Sequence, residues 1–293
     1  MTNSNRDRKN LYGIVSSGKS QTYTNVAVDS FFKNTVLSNE DRVVVIDNDG
    51  IMPVDPRFDL VSRSTPCSFS ANANTLIGMA DANGQDLVFL SNDIYFPPNW
   101  NSDFYSDDEY ILIPCCNQTH TYEHNGFKIQ PTMNLDQTDF SIVDEIAAYH
   151  YTQSTDYLYQ TLLMPFYAFI LKKSVYKKVG YFDTTFGVAG AEDIDYRIRA
   201  AQLNIPTLYT GNSWLLHFQG KSTWDGTETQ QQTAARDQIY TTAFAKKWGT
   251  DLASLLLAGG NPLQIIQKYN LQSFANSDGW FELLKRITSY ANR

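Results

Sequence analysis

The sequence predicts an α/β domain with a mostly parallel central sheet flanked by helices. The chain opens with a strand at residues 11–16 (LYGIVS), a helical pattern at 23–35 and a β-branched strand at 42–46 (RVVVI). The same alternation continues to about residue 210. Consecutive strands joined by a helix form a right-handed crossover and lie parallel in one sheet.

Each later element is predicted from its own apolar pattern. Helices place apolar residues three and four apart, whereas buried strands are short apolar or β-branched runs. These patterns predict a helix at 72–83, strands at 86–90 and 110–114, a segment of mixed character at 163–175, a helix at 191–203 and a strand at 206–209. We expect a flexible tail at 1–10, the main domain at 11–225 and a helical extension at 226–293.

Length and composition exclude several classes of protein. The 293 residues can form one large α/β domain, alone or with an appendage, and 42% hydrophobic and 14% aromatic residues exclude bulk disorder. The net charge of −8 argues against a surface that is one continuous nucleic-acid footprint, although a local basic groove stays possible.

The sequence also bears on location. No segment approaches the roughly 20 apolar residues of a membrane span, and the polar N-terminus has no apolar stretch typical of a signal peptide. Cys67, Cys115 and Cys116 form neither a disulfide framework nor a C-x-x-C pair. We therefore expect a reducing, cytoplasmic setting.

Polar residues follow three of the predicted strands. Ligands of open α/β sheets bind beyond the carboxyl ends of the strands. Ser16, Asp47, Asp49 and Asp93 occupy such ends, and we expect them to bind a cofactor or substrate. Asp93 can hold a divalent cation against a diphosphate, because hard cations prefer oxygen ligands.

A second acidic group opens the helix predicted at 191–203. Glu192, Asp193 and Asp195 are more acids than the helix dipole requires at an N-terminus. Downstream, His217 ends the apolar run Trp214-Leu215-Leu216, and a histidine at a strand end beside acidic loops is a candidate metal ligand.

One motif points to a different function. Residues 13–20 (GIVSSGKS) match the G-x-x-x-x-G-K-S phosphate loop of nucleoside triphosphatases and kinases. That motif needs an apolar strand before its first glycine, whereas here Ile14 and Val15 lie inside the supposed loop. A P-loop enzyme is therefore the alternative, and a turn glycine followed by a solvated lysine is the simpler interpretation of Gly18-Lys19.

Four stretches together resemble the GT-A glycosyltransferases of family 2, which are mostly inverting enzymes using nucleotide sugars. Residues 23–50 resemble the first helix and second strand of that family, and LVFLSNDI at 87–94 resembles its metal-binding D-x-D segment. FDTTFGVAGAEDIDYRIRA at 182–201 resembles its F-D-E-x-F…G-E-D-x-D-L-x-x-R motif, and WLLHFQG at 214–220 resembles the segment with a metal-ligating histidine. AKKWG at 245–249 also resembles a sequence found in many members.

The resemblance implies a role for each matching residue. Asp47 would contact the nucleotide, and Asp93 and His217 would hold Mn²⁺ or Mg²⁺ on the diphosphate of the donor, for which a UDP-sugar is expected. Asp193 would be the general base for the acceptor hydroxyl, and Glu192 would orient the acceptor. Trp214 is a further acceptor-site candidate, since aromatic rings stack on sugars.

Three questions stay open at this point. Ser91 stands where many members have the first aspartate of D-x-D, so metal binding could depend mainly on the diphosphate, Asp93 and His217. The acceptor could be a glycan, a lipid-linked glycan, a protein or a modified base. A non-catalytic protein that binds nucleotide sugars on the same fold is the other alternative.

Overall fold

The structure is a computed structural model that describes residues 9–16, 20–102, 108–118, 122–124, 127–153, 158–160, 166–221, 228–257 and 285. The predicted tail at 1–10 lies almost wholly outside these residues, as does the helical extension beyond Leu257 except for Lys285.

Eleven strands and seven helices make up the described part of the chain. The strands are β1 (Asn10–Ser16), β2 (Arg42–Asp47), β3 (Asp59–Ser62), β4 (Asp86–Ser91), β5 (Ile94–Tyr95), β6 (Ile111–Cys116), β7 (Tyr122–His124), β8 (Phe127–Ile129), β9 (Leu158–Gln160), β10 (Ala168–Leu171) and β11 (Thr207–His217). The helices are α1 (Gln21–Asn34), α2 (Phe69–Asn83), α3 (Phe140–Gln153), α4 (Lys173–Val179), α5 (Glu192–Gln202), α6 (Gln230–Trp248) and α7 (Thr250–Leu257).

Nine strands form one sheet in the order β3-β2-β1-β4-β10-β6-β11-β5, with β9 paired to β11. The pairs β1–β2, β1–β4, β2–β3 and β6–β11 are parallel, whereas β5, β9 and β10 run antiparallel to their neighbours. Six of the nine strands therefore point the same way, which confirms the mostly parallel sheet. β7 and β8 form a separate hairpin.

The predicted opening unit is confirmed. β1 and β2 lie parallel with Val15 opposite Ile46, and α1 crosses between them. Ala27 and Phe31 on one face of α1 are fully buried against the sheet. Burial of a side chain the size of Phe31 stabilises the fold by about 1.5–3 kcal/mol.

The phosphate-loop alternative does not fit this strand. Gly13 and Ile14 belong to β1 and pair with β2 on one side and β4 on the other, so they are extended rather than curled around a phosphate. A Cβ atom at Gly13 would lie 2.4 Å from the side chain of Leu76, so the glycine allows α2 to pack closely on the sheet. Ser17, Gly18 and Lys19 lie outside the described residues.

Strands β10 and β11 differ from the prediction. The strand predicted at 206–209 continues to His217 as β11, with a shift in its pairing to β6 between Thr210 and Trp214. The polar residues at this irregularity interrupt the apolar pattern, which is why the sequence indicates only a short strand. The mixed segment at 163–175 resolves into β10 and the start of α4.

Helices α6 and α7 pack against α5 and form a second apolar core. Its buried members are Phe186, Ala191, Ile194, Ile198, Ala201, Phe244, Trp248, Leu252, Ala253, Leu255 and Leu256. The predicted helical extension therefore covers the helix that begins with Glu192.

Two expectations about location can be compared with the described residues. Within them, no helix combines the length and the apolar character that crossing a membrane requires. Cys67, Cys115 and Cys116 form no disulfide.

Candidate active site

Two strand ends bring Asp93 and His217 together. The short strand β5 pairs antiparallel with the end of β11, with Ile94 opposite His217, and the backbone N–H of Phe218 donates to the carbonyl of Asp93 at 2.9 Å. This pairing places Nε2 of His217 3.3 Å from Oδ1 of Asp93. Asp93 is 1% and His217 7% exposed, so the pair is nearly removed from bulk water.

Asn117 and Tyr167 hold His217 in place. The His217 backbone N–H donates to Oδ1 of Asn117 at 2.8 Å, and Nδ2 of Asn117 donates back to the His217 carbonyl at 3.0 Å. The Tyr167 ring stacks on the imidazole with centroids 4.8 Å apart. The position of the imidazole is therefore fixed by the fold.

The Asp93–His217 pair fits a divalent cation. Oδ2 of Asp93 accepts the backbone N–H of Lys221 at 3.0 Å, while Oδ1 has no hydrogen-bond donor among the described residues and faces the imidazole. Two adjacent ligands of an octahedral cation at 2.0–2.1 Å lie about 3 Å apart, close to the observed separation. Burial raises the pKa of Asp93, but His217 and the Lys221 N–H outweigh it, so the pKa is lowered and the carboxylate stays charged.

Protein ligands for that cation are few. The described residues contain no group of three or more histidine, cysteine, aspartate or glutamate side chains arranged to hold a metal. Ser91 lies in the same cavity but supplies a hydroxyl where a carboxylate would bind more strongly. A cation at Asp93 and His217 would need its other ligands from a bound molecule or water.

A carboxylate pair lies at the first turn of α5. Gly190 and Ala191 precede it with positive φ angles of 123° and 65°. The backbone N–H of Gly190 donates to Oε2 of Glu192, and Oδ1 of Asp193 accepts the N–H of Ile194 at 2.8 Å. Glu192 is 6% exposed and Asp193 is partly buried.

The two carboxyl groups differ in their electrostatics. Burial and the neighbouring Asp193 raise the pKa of Glu192 to about 8. Burial also raises the pKa of Asp193, but the buried guanidinium of Arg197, one helical turn on, opposes that shift. One buried cation can neutralise one carboxylate, so Arg197 favours the charge on Asp193 and the proton on Glu192.

One cavity of about 260 Å³ joins the two pairs. Its walls combine aromatic rings with four of the predicted site residues. The lining residues are Phe69, Ser91, Asp93, Gln118, Phe166, Tyr167, Ala189, Gly190, Glu192, Asp193, His217, Gln219 and Gly220. Four predicted site residues, Asp93, Glu192, Asp193 and His217, therefore face the same space.

The third acid of the predicted cluster has a different environment. Asp195 is fully buried and accepts the indole N–H of Trp248 at 2.9 Å and the guanidinium N–H of Arg199 at 3.0 Å. Lys247 lies 2.6 Å from Asp195 and 2.6 Å from Asp183. Asp195 thus joins α5 to α6 and does not line the cavity.

The remaining predicted residues lie outside the cavity lining. The fully buried Asp47 carboxylate accepts the backbone N–H groups of Gly50 and Met52 at 3.0 and 2.9 Å, which stabilises the turn after β2, and Asp49 is a partly exposed member of that turn. Ser16 is 1% exposed, with its hydroxyl 3.0 Å from that of Thr24.

Trp214 is also placed away from the cavity. It is 1% exposed, and its ring stacks on that of His150 with centroids 5.8 Å apart. Because His150 belongs to α3, the Trp214 ring helps to pack α3 against β11.

The sequence patterns did not identify the aromatic and amide walls of the cavity. Phe69, Phe166 and Tyr167 look like ordinary core residues in the sequence, and Gln118 belongs to no motif. The one available signal is that Gln118 follows the carboxyl end of β6, where ligand-binding residues of α/β sheets gather.

Structural comparison supports the fold. GalNAc-T7 bound to UDP, GalNAc and Mn²⁺ aligns with a TM-score of 0.56 at 15% identity over 94% of this chain and 56% of GalNAc-T7. The mannosyltransferase PcManGT from Pyrobaculum calidifontis, bound to GDP-Man and Mn²⁺, aligns with a TM-score of 0.51 at 12% identity over 97% and 86% of the two chains. The chain has the GT-A fold.

The GT-A likeness is structural and not one of sequence. No family model matches the chain, and a search of curated proteins finds no match. The chain spans just over half the length of GalNAc-T7. Within the GT-A fold, the cavity lies at the carboxyl ends of β4, β6 and β11.

Proposed function

We propose that this protein is a metal-dependent glycosyltransferase, similar to family 2, that transfers a sugar with inversion from a nucleoside-diphosphate sugar to an acceptor hydroxyl. The observation that carries the proposal is the shared cavity. It brings Asp93 and His217, which we propose as cation ligands, to the same space as the carboxylates Glu192 and Asp193.

Asp93 and His217 would hold Mn²⁺ or Mg²⁺ on the donor diphosphate. The cation would neutralise the charge of the leaving diphosphate. The two structural neighbours contain Mn²⁺ with UDP in one case and GDP-Man in the other. We propose a UDP-sugar as donor. Ser16, Asp47 and Asp49 lie at the carboxyl ends of β1 and β2, where we place its nucleotide.

Asp193 is the proposed general base, because it keeps its charge beside Arg197 while Glu192 holds a proton. Its carboxylate takes the proton of the acceptor hydroxyl. The acceptor oxygen then bonds to the anomeric carbon as the bond from that carbon to the diphosphate oxygen breaks, and the electron pair leaves with the nucleoside diphosphate. Such an in-line displacement inverts the anomeric centre and needs no protein nucleophile.

Protonated Glu192 can donate a hydrogen bond that orients the acceptor. Its own orientation is set by the Gly190 N–H. The aromatic rings of Phe69 and Phe166 give the cavity apolar walls, and a less polar environment strengthens electrostatic interactions. The chemical class of the acceptor stays open among a glycan, a lipid-linked glycan, a protein and a modified base.

Asp193→Asn tests the base assignment. Sugar transfer from a panel of UDP- and GDP-sugars with Mn²⁺ should fall by about 10²–10⁴-fold, while donor affinity measured by calorimetry stays near wild type. Lys246→Ala, an exposed change on α6, serves as control. Near-normal turnover in Asp193→Asn would contradict the assignment.

Two alternatives are separated by simple measurements. Lys19→Ala should have a mild effect on transfer, whereas a P-loop enzyme would be inactivated. Tight binding of a nucleoside diphosphate with neither hydrolysis nor transfer in the presence of Mn²⁺ would instead indicate a non-catalytic binding protein.

A further inference from the structure

Gln118 contacts the edge of His217 that faces away from Asp93. Oε1 of Gln118 lies 3.3 Å from Nδ1 of the imidazole, while Nε2 of the same ring faces Oδ1 of Asp93. Gln118 directly follows Asn117, whose side chain accepts the His217 backbone N–H and donates to the His217 carbonyl. The end of β6 therefore fixes both the main chain and the ring of His217.

The Gln118 side chain is itself oriented by its neighbours. Its backbone N–H donates to Sγ of Cys116 at 3.4 Å, and the Cys116 thiol approaches Oε1 at 3.7 Å. The carbonyl oxygen of the amide is thus the atom presented to the imidazole. This oxygen can only accept a hydrogen bond, so its 3.3 Å contact with the imidazole is a hydrogen bond when Nδ1 carries a proton.

A proton on Nδ1 has a consequence at the opposite edge of the ring. In the neutral imidazole the other nitrogen, Nε2, then carries a lone pair. That lone pair faces Oδ1 of Asp93, which has no donor among the described residues. Two acceptors facing each other across a buried gap repel, so this gap requires a cation, which is a proton on Nε2 in the metal-free protein and a divalent ion when metal binds.

We propose that Gln118 is a positioning residue that fixes the His217 tautomer with its proton on Nδ1, so that Nε2 is presented with its lone pair toward the cation site. The inference rests on the proposed function, because it assigns Asp93 and His217 to a divalent cation. Groups that hold the second nitrogen of a ligating histidine typically contribute 10–100-fold to metal affinity.

Nitrogen-15 NMR of the metal-free protein tests the tautomer directly. Two-bond correlations between ring protons and ring nitrogens distinguish protonated from unprotonated nitrogen, and the His217 signals are assigned by their loss in His217→Gln. We expect a protonated Nδ1 in the metal-free protein, where Nε2 also shares a proton with Asp93. An unprotonated Nδ1, with the single ring proton on Nε2, would overturn the proposal.

Substitution of Gln118 supplies the second measurement. Gln118→Met keeps the length of the side chain but removes the acceptor, and it should weaken Mn²⁺ binding by about 10–100-fold in electron paramagnetic resonance titrations. Gln118→Glu keeps an acceptor oxygen and should preserve the Nδ1-protonated tautomer. Gln137→Met, at an exposed glutamine outside the cavity lining, is the matched control.

The outcomes separate this inference from the proposed function. Unchanged Mn²⁺ affinity in Gln118→Met would overturn the positioning role, even if wild-type protein transfers sugar. The expected tautomer in a protein without any transfer activity would contradict only the enzymatic assignment, because the NMR experiment uses neither metal nor donor. If Gln118→Met fails to fold, the wild-type spectrum still decides the tautomer.

Discussion

Nζ of Lys247 lies 2.6 Å from Oδ1 of the fully buried Asp195. This contact joins α6 to α5 at a position two residues beyond the proposed base Asp193. The KWG sequence at 247–249 thus has a structural role, since both Lys247 and Trp248 bind the Asp195 carboxylate.

Lys247→Met should destabilise the protein. Removing one member of a buried ion pair leaves an uncompensated charge, which costs about 3–5 kcal/mol; Arg199 and Trp248 still contact Asp195, so we expect the lower end of that range. Urea denaturation measures the change. Lys246→Met removes the same charge from an exposed site on the same helix and should change stability by less than about 0.5 kcal/mol. Equal effects of the two substitutions would show that the Asp195 contact contributes little.

The pKa of Glu192 predicts a pH dependence of stability. Between its ordinary value of 4.5 and about 8, the folded protein holds a proton on Glu192 that the unfolded chain has released. The folded state binds more protons in this window, so the free energy of unfolding falls as pH rises from 4.5 to 8.

Glu192→Gln should remove much of that dependence. Glutamine keeps the shape of the protonated acid and cannot ionise, so the variant should lose less stability than wild type between pH 5 and pH 8. Urea denaturation at the two pH values gives the comparison, and Glu145→Gln, an exposed change on α3, is the control. Equal losses of stability in wild type and Glu192→Gln would show that a group other than Glu192 causes the pH dependence.

Asp93→Asn and His217→Gln should each weaken Mn²⁺ binding by at least about tenfold, because each removes a ligand or its charge from the proposed cation site. Isothermal titration with Mn²⁺ and nucleoside diphosphate measures the affinity. Asp81→Asn, which removes an exposed carboxylate from α2, should bind Mn²⁺ like wild type. Wild-type affinity in both site variants would contradict the metal assignment.

Gly190→Ala should impair both stability and the site. The position has a φ of 123°, and an added Cβ would lie 2.3 Å from the Tyr240 ring. Backbone strain alone costs about 1–3 kcal/mol, and displacement of the Gly190 N–H removes a hydrogen bond from Glu192.

A double-mutant cycle separates strain from the clash with Tyr240. Tyr240→Ala removes the ring, so Gly190→Ala should cost less in that background than in wild type, with a coupling energy of about 1 kcal/mol. Denaturant unfolding of the four proteins gives this value. Strictly additive changes would mean that Tyr240 moves aside without cost.

The local elements of the fold were predictable because their signals are local. A β-branched run identified β2, short apolar runs identified β1, β4 and the start of β6, and apolar spacing identified α1, α2 and α5. β5 is two residues long and carries no pattern, and the irregularity in β11 hides its second half. Both depend on partners distant in sequence.

The sequence by itself determined the α/β class and the candidate residues Asp93, Glu192, Asp193 and His217, because acids and a histidine at strand and helix ends are visible as patterns. The tertiary structure decided which of them meet. Pairing of β5 with β11 brings His217 to Asp93. Packing of α6 on α5 places Lys247 against Asp195, whereas Asp193 lines the cavity. Distances and burial set by long-range packing fix charge and protonation, and no short stretch of sequence encodes them.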